Sequence, residues 1–194
     1  MDREELPFNR AQRTWVARAA KRVDSTLAFG STKPLNRPGD IFFLNSAYPP
    51  TAEEIAAHRP APLIFGESFL AQPYIASSIF NISAMSYGAL SGPAIAALSA
   101  GAHKSGIWLN TGEGGLSPPH QTAPCDLVFQ IGTAKYGVRD GDGQLDLSKI
   151  RSLAAIPELK MFEIKLSQGA KPGKGGILPA EKVTEIIAKT RGIP

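Results

Sequence analysis

Cysteine is nearly absent from this chain, which carries one thiol, Cys125, among its 194 residues. A single cysteine excludes an internal disulfide framework, and it excludes a zinc site or metal cluster held by cysteines of this chain alone. Domains that work outside the cell commonly depend on disulfides, so we expect a reducing, cytoplasmic location. Cys125 has no signature of a nucleophile, and we expect it to be a small buried residue.

Several other sequence signals are missing. The three histidines, His58, His103 and His120, lack the spacing with carboxylates that metal sites use. We therefore expect no metal site and a surface position for His103. His120 follows Pro118 and Pro119 and could reach the ligand face, but a loop position is the favoured interpretation. No apolar run reaches the length of a membrane span, and the polar N-terminus does not resemble a signal peptide. Lysine and arginine form no dense run interleaved with aromatic residues, which argues against nucleic acid as a partner.

The composition is that of a globular protein. Apolar residues make up 43% and charged residues 20% of the 194 positions, which is enough for one domain with a sizeable core. The net charge of +4 and the pI near 9.3 fit a protein that binds anionic small molecules.

The N-terminal part is predicted to form a helix followed by an irregular arm. Residues 11–27 place apolar side chains on one face and basic side chains on the rest. Such a helix can lie on an anionic membrane, but docking on the domain through its apolar stripe is the favoured interpretation. Residues 28–50 contain several prolines and glycines, and Thr51 opens a capping-box helix that runs to about His58. Residues 59–77 are predicted as loop and short extended pieces.

A repeating order of strand, loop and helix begins at residue 79. Four apolar segments are predicted as strands, and three segments with capping or terminating residues are predicted as helices. The strands are residues 79–84, 107–110, 127–131 and 161–166, and the helices are residues 91–104, 148–155 and 180–190. This alternation predicts an α/β fold of parallel βαβ units with right-handed crossovers.

Polar or glycine-rich loops follow three of these strands. They are Ala84–Gly88, Asn110–Gly115 and the lysine- and glycine-rich loop that leads to Leu178. Loops at the carboxyl ends of parallel strands lie on one face, where α/β enzymes bind ligands, so we expect the three to converge. Glycines allow the backbone to approach an anion, and lysines supply positive charge. A solvated basic turn is the alternative interpretation of the third loop.

Two better-known loop motifs are excluded by their spacing. The Gly173–Lys174 pair comes one residue too early after Gly169 for a nucleotide P-loop, and Gly175 stands where a metal-binding hydroxyl is needed. The segment Asp140–Gly143 suggests a calcium loop. Leu145, however, occupies the obligatory glycine position, so a turn is predicted.

Five sequence motifs include or follow these loops: ISAMSYGALS at 82–91, NTGEGG at 110–115, QIGTAKYG at 130–137, EIKLSQGAKPG at 163–173 and GGILP at 175–179. Together they resemble the FMN-binding synthase domain of glutamate synthases, and more closely the shorter, stand-alone glutamate-synthase-like proteins. Their shared order makes the resemblance specific, and it covers about residues 10–194.

The resemblance implies a partial (β/α)8 TIM barrel with FMN over the carboxyl ends of its strands. Residues 1–78 would be the helix and arm that pack on it. Residues 79–194 would be its N-terminal half, the first four or so β/α units. Half a barrel exposes two strand edges and an open apolar interior. We therefore expect a fragment or truncated gene product that self-associates through its open edges.

The resemblance also implies an oxidoreductase acting on CH–NH2 donors. Reduced FMN would give a hydride to 2-iminoglutarate, formed from 2-oxoglutarate and ammonia, and L-glutamate would result. A small oxo-acid or amino-acid substrate and an electron-donor protein are the implied partners. The implied FMN contacts are Ser83, Ala84, Met85 and Ser86 beside the ring, and Gln130 and Lys165 at its polar edge. The implied substrate contacts are Glu113, Lys171 and Arg191, of which Glu113 and Lys171 are the catalytic pair.

Two departures from the family pattern bear on function. Ile177 stands where the large glutamate synthases carry a substrate-contacting glutamine, and an isoleucine cannot replace that hydrogen bond. The chain also ends before the family's phosphate-binding glycine loops and the cysteines of its 3Fe–4S cluster. We therefore expect weak FMN binding and no such cluster. The alternative function is a catalytically incompetent barrel fragment that acts only by associating with another chain.

Overall fold

The computed structural model of this chain describes residues 9–23, 38–40, 44, 47–58, 61–168 and 178–194. The chain divides into two compact units, Met1–Ala56 and Ala57–Pro194. Among the described residues, no helix is both long and apolar enough to cross a bilayer. The second unit contains the sheet and the candidate site.

The first unit contains two short capped helices. Helix α1 spans Arg10–Ala20 and begins at Asn9, whose side chain accepts a hydrogen bond of 2.9 Å from the Gln12 N–H. The predicted helix 11–27 therefore starts correctly but ends early, and Arg22 just beyond it has a positive φ of 55°. No residue of α1 is buried, and residues 24–37 of the predicted helix and arm lie outside the described residues.

The second helix confirms the predicted capping box. Helix α2 spans Ala52–Ala57 and is preceded by Thr51. The Thr51 N–H donates to Glu54 Oε2 at 2.7 Å, and the Glu54 N–H donates to Thr51 Oγ1 at 3.2 Å. These reciprocal bonds satisfy two backbone donors that the first turn leaves without helical partners.

A β-hairpin opens the described part of the second unit. Strands β1 (Leu63–Phe65) and β2 (Tyr74–Ala76) are antiparallel, so the extended pieces predicted within 59–77 pair with each other. The Tyr74 hydroxyl donates to Asp126 Oδ2 at 2.8 Å, and the Trp108 ring meets the Phe65 ring edge-on at 5.7 Å. Trp108 and Asp126 each precede a strand of the main sheet. The hairpin therefore packs at the amino ends of those strands, opposite the loops considered below.

The main sheet has three parallel strands in sequential order. They are β3 (Leu109–Asn110), β4 (Leu127–Ile131) and β5 (Leu159–Ile164). Helix α3 (Gly92–Ser105) precedes β3, and helix α4 (Leu147–Ala154) connects β4 to β5. The predicted parallel α/β organisation is confirmed, and the described residues form an open sheet rather than a closed barrel.

The predicted strand at 79–84 is wrong except at one residue. Ile82 forms a single parallel bridge with Leu109, and regular pairing stops on both sides of it. On one side the Asn81 side chain accepts the Trp108 N–H at 3.1 Å, in place of a backbone carbonyl. On the other side the Asn110 carbonyl accepts from the Met85 N–H at 3.1 Å, one residue later than a regular parallel ladder requires. The backbone therefore follows the sheet without forming a strand.

The hydrophobic core lies between α3 and one face of the sheet. Strand β4 is the most buried strand, with four consecutive buried residues. The core cluster consists of Ala102, Leu109, Cys125, Leu127, Phe129, Val138 and Leu159. Cys125 is thus buried as predicted, and burial raises the pKa of its thiol, which favours the neutral form.

The predicted helix 180–190 is divided in two. A 3-10 turn at Ala180–Lys182 is followed by helix α5 at Glu185–Arg191. Thr184 adopts an extended conformation and accepts the Ile187 N–H on its hydroxyl at 3.4 Å, so it acts as an N-cap in the middle of the predicted segment. Gly192 ends the helix in the left-handed conformation, as expected.

Candidate functional site

Two of the predicted loops meet at backbone distance. Gly112, in the loop after β3, has a φ of +65°, and a Cβ atom added there would lie 2.7 Å from the Ser86 nitrogen. A Cβ atom added at Gly114 would lie 3.1 Å from Ser86 Cβ. The absence of side chains at these glycines is what allows the two loops to touch. Loops Ala84–Gly88 and Asn110–Gly115 therefore converge as predicted.

Glu113 follows β3, and its side chain contacts residues just past β4 and β5. Its Oε2 atom lies 3.3 Å from Lys165 Nζ, just past β5, and its Oε1 atom accepts from Gln168 Nε2 at 2.6 Å. A Cβ atom added at Gly132, just past β4, would lie 2.8 Å from Glu113 Cβ. The Glu113 and Lys165 side chains are 26% and 27% exposed, so solvent still reaches the pair. A ligand at this edge would therefore meet a carboxylate and an ammonium group together.

A cluster of polar side chains lies on the three strands just before these loops. Glu163 Oε1 accepts a hydrogen bond of 3.1 Å from Asn110 Nδ2, and it also accepts from Gln130 Nε2. Gln130 is 6% exposed, and its Oε1 atom is buried without a hydrogen-bond partner among the residues that the structure describes. Buried acceptors are normally paired. The unpaired Gln130 Oε1 is therefore an acceptor that a ligand would satisfy.

A cavity of about 390 Å³ adjoins this polar cluster. Ser83 and Ala84 lie on its wall and are exposed. Met85 and Ser86 follow at the loop junction, where the Met85 side chain packs against the core and its N–H donates to the Asn110 carbonyl. The remaining lining residues are Ile79, Asn81, Trp108, Asn110 and Glu163.

Arg191 lies beside the same loops but is buried. Its Nη2 atom donates to the Tyr87 carbonyl at 3.4 Å, and its guanidinium carbon lies 5.0 Å from the centre of the Tyr136 ring. A Cβ atom added at Gly114 would lie 3.6 Å from Arg191 Nη2. Arg191 is 9% exposed, and its Nε atom has no hydrogen-bond partner within the described part of the chain.

The structure brings together most of the residues that the sequence predicted, with one gap. Ser83, Ala84, Ser86, Glu113, Gln130, Lys165 and Arg191 all line the cavity or lie at the carboxyl ends of the strands. Met85 lies in the same loop as Ser86, but its side chain packs against the core. Lys171 and Ile177 lie outside the described residues, so the roles predicted from them stay predictions. Among the described residues, no group of three or more His, Cys, Asp or Glu side chains could hold a metal ion.

His120 lies in the connection between β3 and β4, as predicted, but its burial was not anticipated. His120 is fully buried in a 3-10 turn, Pro118–Gln121, with Nε2 2.8 Å from the Met85 carbonyl and Nδ1 2.7 Å from Ser117 Oγ. Burial lowers the pKa of His120 below the ordinary value of 6.5, and the bond to Met85 offsets part of that effect. The turn forms because Pro118 and Pro119 follow an extended Ser117, and prolines fit the first positions of a helical turn.

Sequence reasoning also missed Gln168 and Tyr136 as neighbours of the site. Gln168 meets Glu113 across 55 positions, and Arg191 meets the ring of Tyr136 across a comparable span. Their pairing depends on how the loops fold back over the strand ends. The sequence offered one related signal for the position of the site. Glu163 and Lys165 lie two residues apart on one predicted strand and therefore share a face, and in the structure this face is the polar one.

The lowered pKa of His120 predicts a pH-dependent stability. As pH falls from 7 through 6.5, His120 binds a proton in the unfolded chain before it does so in the folded chain. The free energy of unfolding therefore decreases, by at most about 1.4 kcal/mol per pH unit for one proton, until pH reaches the folded pKa. Urea unfolding between pH 7.5 and 5.5 measures this slope. His120→Gln is expected to flatten this slope, and equal slopes in the wild-type protein and the variant would contradict the prediction.

Comparison with known proteins identifies the family. The family model described as a conserved region in glutamate synthase matches residues 54–194, well over half of the chain. The chain belongs to the glutamate synthase family. The glutamate synthase large subunit-like protein YerD of Bacillus subtilis is 30% identical over 228 aligned positions, which cover 99% of this chain and 43% of that protein. No solved structure matches the chain significantly.

Other glutamate synthase relatives show the same partial coverage. A glutamate synthase large subunit-like protein of Rhizobium meliloti is 32% identical, over 91% of this chain and 37% of that protein. The archaeal-type glutamate synthase [NADPH] of Thermotoga maritima is 40% identical, over 58% of this chain and 20% of that protein. The chain thus spans less than half the length of these relatives. The family match includes every described residue of the candidate site.

Proposed function

We propose that this chain is the N-terminal half of an FMN-dependent, glutamate-synthase-like oxidoreductase with a (β/α)8 barrel. The observation that carries the proposal is the polar edge of the sheet. There the buried carbonyl oxygen of Gln130, which has no partner within the described part of the chain, lies one strand away from the Lys165–Glu113 ion pair. Sequential parallel strands, with a further parallel bridge at Ile82, are the arrangement with which a barrel begins.

The residues present fit a flavin ring. Gln130 Oε1 would accept a hydrogen bond from a ring N–H group, and Lys165 would donate to the ring's carbonyl edge. The wall at Ser83 and Ala84 carries small side chains and admits a flat ring. FMN supplies a hydride when it is bound and reduced, and the positive charge of Lys165 would stabilise the negative charge of that reduced form.

The substrate side of the site would recognise an imino acid. A cationic imine accepts a hydride at carbon, and the nearby carboxylate of Glu113 would bind its N–H group and stabilise its charge. Lys171 would bind a substrate carboxylate as a flexible point charge. Arg191 would contribute through its unpaired Nε atom, since its Nη2 atom is already bonded to the Tyr87 carbonyl. We propose 2-iminoglutarate as the substrate class, with L-glutamate as the product.

One observation favours the alternative of a fragment that acts only through association. The last residues of strand β5 and those just beyond it expose large apolar side chains, with Ile164 72% and Leu166 89% exposed. The outer edge of β5 has no strand beside it within the described sheet. A second half-barrel, or a second copy of this chain, would cover this edge.

Under the oxidoreductase proposal, an electron-donor protein would reduce the flavin, and the protein would be located in the cytoplasm.

Anaerobic reoxidation of reduced FMN tests the proposed reaction. A chain extended by the remaining barrel units is loaded with FMN, photoreduced and mixed with 2-oxoglutarate, with ammonia, or with both. We expect the flavin absorbance to return, and L-glutamate to form, only when both are present, because the hydride acceptor is the imine. The extended Glu113→Gln variant, which lacks the carboxylate proposed to stabilise the charge of the imine, is the control and is expected to reoxidise more slowly. FMN that stays reduced with every oxo-acid tested would favour the associating fragment.

A further inference from the structure

His120 is tied to the candidate site although it does not line it. Its turn lies between β3 and β4, and the ring is fully buried. Both ring nitrogens are hydrogen-bonded. Nδ1 is bonded to the hydroxyl and the main-chain N–H of Ser117, and Nε2 is bonded to the Met85 carbonyl.

The contacts determine which nitrogen carries the proton. The Ser117 N–H donates to Nδ1 at 3.2 Å, so Nδ1 is an acceptor. The proton of the neutral ring therefore resides on Nε2, which donates to the Met85 carbonyl at 2.8 Å. An apolar residue at position 120 would leave the Ser117 N–H and the Met85 carbonyl without these partners, and orphaned buried groups of this kind are unfavourable.

The N–H and the carbonyl of Met85 are both hydrogen-bonded. Its N–H donates to the Asn110 carbonyl at the end of β3, and its carbonyl accepts from His120. Asn110 also accepts the Gly112 N–H on its side chain at 2.9 Å, so the same residue connects both loops. The next residue, Ser86, is the one that meets Gly112 at backbone distance.

We propose that His120, in its Nε2–H form, is a positioning residue that fixes the Met85 carbonyl and thereby the loop Ser83–Tyr87. The importance of this loop for a flavin rests on the proposed function, whereas its fixation by His120 does not.

Two substitutions separate the two bonds of the ring. In His120→Gln, the side-chain amide reaches about as far as Nε2 and retains the donor to Met85. In His120→Asn, the shorter side chain retains only the acceptor for Ser117. Amide hydrogen exchange by mass spectrometry on the 194-residue chain then reports how firmly residues 83–88 are held, with α4 as an internal reference.

We expect His120→Asn to accelerate exchange in residues 83–88 about 10-fold over the wild-type chain while α4 changes little, since one lost hydrogen bond is worth about one decade. His120→Gln should stay within about 3-fold, a rescue that general loss of packing would not give. Equal acceleration in both variants, or acceleration spread over α4, would overturn the proposal. If His120→Asn does not fold, nitrogen NMR of the wild-type protein determines the tautomer of the His120 ring. The proposal requires the Nε2–H tautomer, and an Nδ1–H tautomer would overturn it.

A second experiment, on the absorbance of bound FMN, distinguishes a failure of the role of His120 from a failure of the proposed function. FMN bound to the extended chain should show a shifted absorbance band in His120→Asn and a nearly wild-type band in His120→Gln. If the extended wild-type chain binds no FMN, the proposed function fails, and the exchange result on the 194-residue chain still decides the role of His120. If FMN binds and the exchange pattern is not the expected one, only the inference about His120 fails.

Discussion

FMN is expected to bind the 194-residue chain about 10²- to 10⁴-fold more weakly than it binds a chain extended by the remaining barrel units. Under the proposed function, Gln130 and Lys165 would provide contacts to the flavin ring. In TIM barrels the phosphate commonly lies in the loops after the seventh and eighth strands, near a helix N-terminus, and under the proposed function those strands would lie beyond the three described parallel strands. Two missing charge-assisted bonds, each worth about 1.5–3 kcal/mol, give the expected difference.

Isothermal titration of FMN into both chains measures this ratio. Riboflavin, which lacks the phosphate, is the matched ligand control and should bind the two chains with similar affinities. Tight, stoichiometric FMN binding by the short chain would contradict the prediction. It would mean that the 194 residues complete a phosphate site by themselves or as a dimer, which sedimentation of the complex would distinguish.

Gly112→Ala is expected to lower the free energy of unfolding by about 2–4 kcal/mol. Gly112 has a φ of +65°, which is unfavourable for alanine, and the added methyl would lie 2.7 Å from the Ser86 backbone nitrogen. Neither the loop backbone nor Ser86 can move away without breaking the contact between the two loops. The substitution should therefore also reduce FMN binding by the extended chain.

Gly101→Ala is the matched control for this substitution. Gly101 lies within α3 and does not have a positive φ, and among the described residues outside its own helix no heavy atom lies within 4 Å of an added Cβ. The same chemical change there should raise stability by about 0.5–1 kcal/mol, because alanine favours the helix. Urea unfolding of both variants measures the difference. Equal effects at the two positions would show that the contact between the loops is looser than described.

Local sequence signals were sufficient where one element decided its own conformation. The segment 127–131 became β4 with the same bounds, because the consecutive apolar side chains at 127–129 suit a strand buried on both faces. Ser91 and Gly106 delimited α3 as expected, because a hydroxyl N-cap and a left-handed glycine act on the residues next to them.

Those signals failed where a distant side chain replaced a backbone partner. The segment 79–84 has a strand-like sequence, but Asn81 uses its side chain to pair with Trp108 and the ladder stops. His120 gave no sign of burial, because its partners, Ser117 and the Met85 carbonyl, become neighbours only after the turn folds under the loop. In each case the deciding hydrogen bond includes a partner whose position depends on the tertiary fold.

The candidate site was predictable to the extent that topology determines it. Parallel strands place their following loops at one edge, and this rule alone brought Glu113 close to Lys165. The rule does not specify which side chains bond across the edge, so Gln168 and Tyr136 were not anticipated. It also does not predict that Arg191 would be largely buried against Tyr87.

The midpoint potential of bound FMN tests most directly whether Lys165 lies against the flavin ring. The extended chain is titrated reductively as the wild type, as Lys165→Met, and as Lys104→Met, which removes an exposed lysine from α3. Loss of a cation at the ring disfavours the negatively charged reduced form. The potential of Lys165→Met should therefore fall by about 30 mV or more, the equivalent of one decade for two electrons, while Lys104→Met leaves it unchanged. An unchanged potential in Lys165→Met would contradict the placement of the flavin at this edge of the sheet.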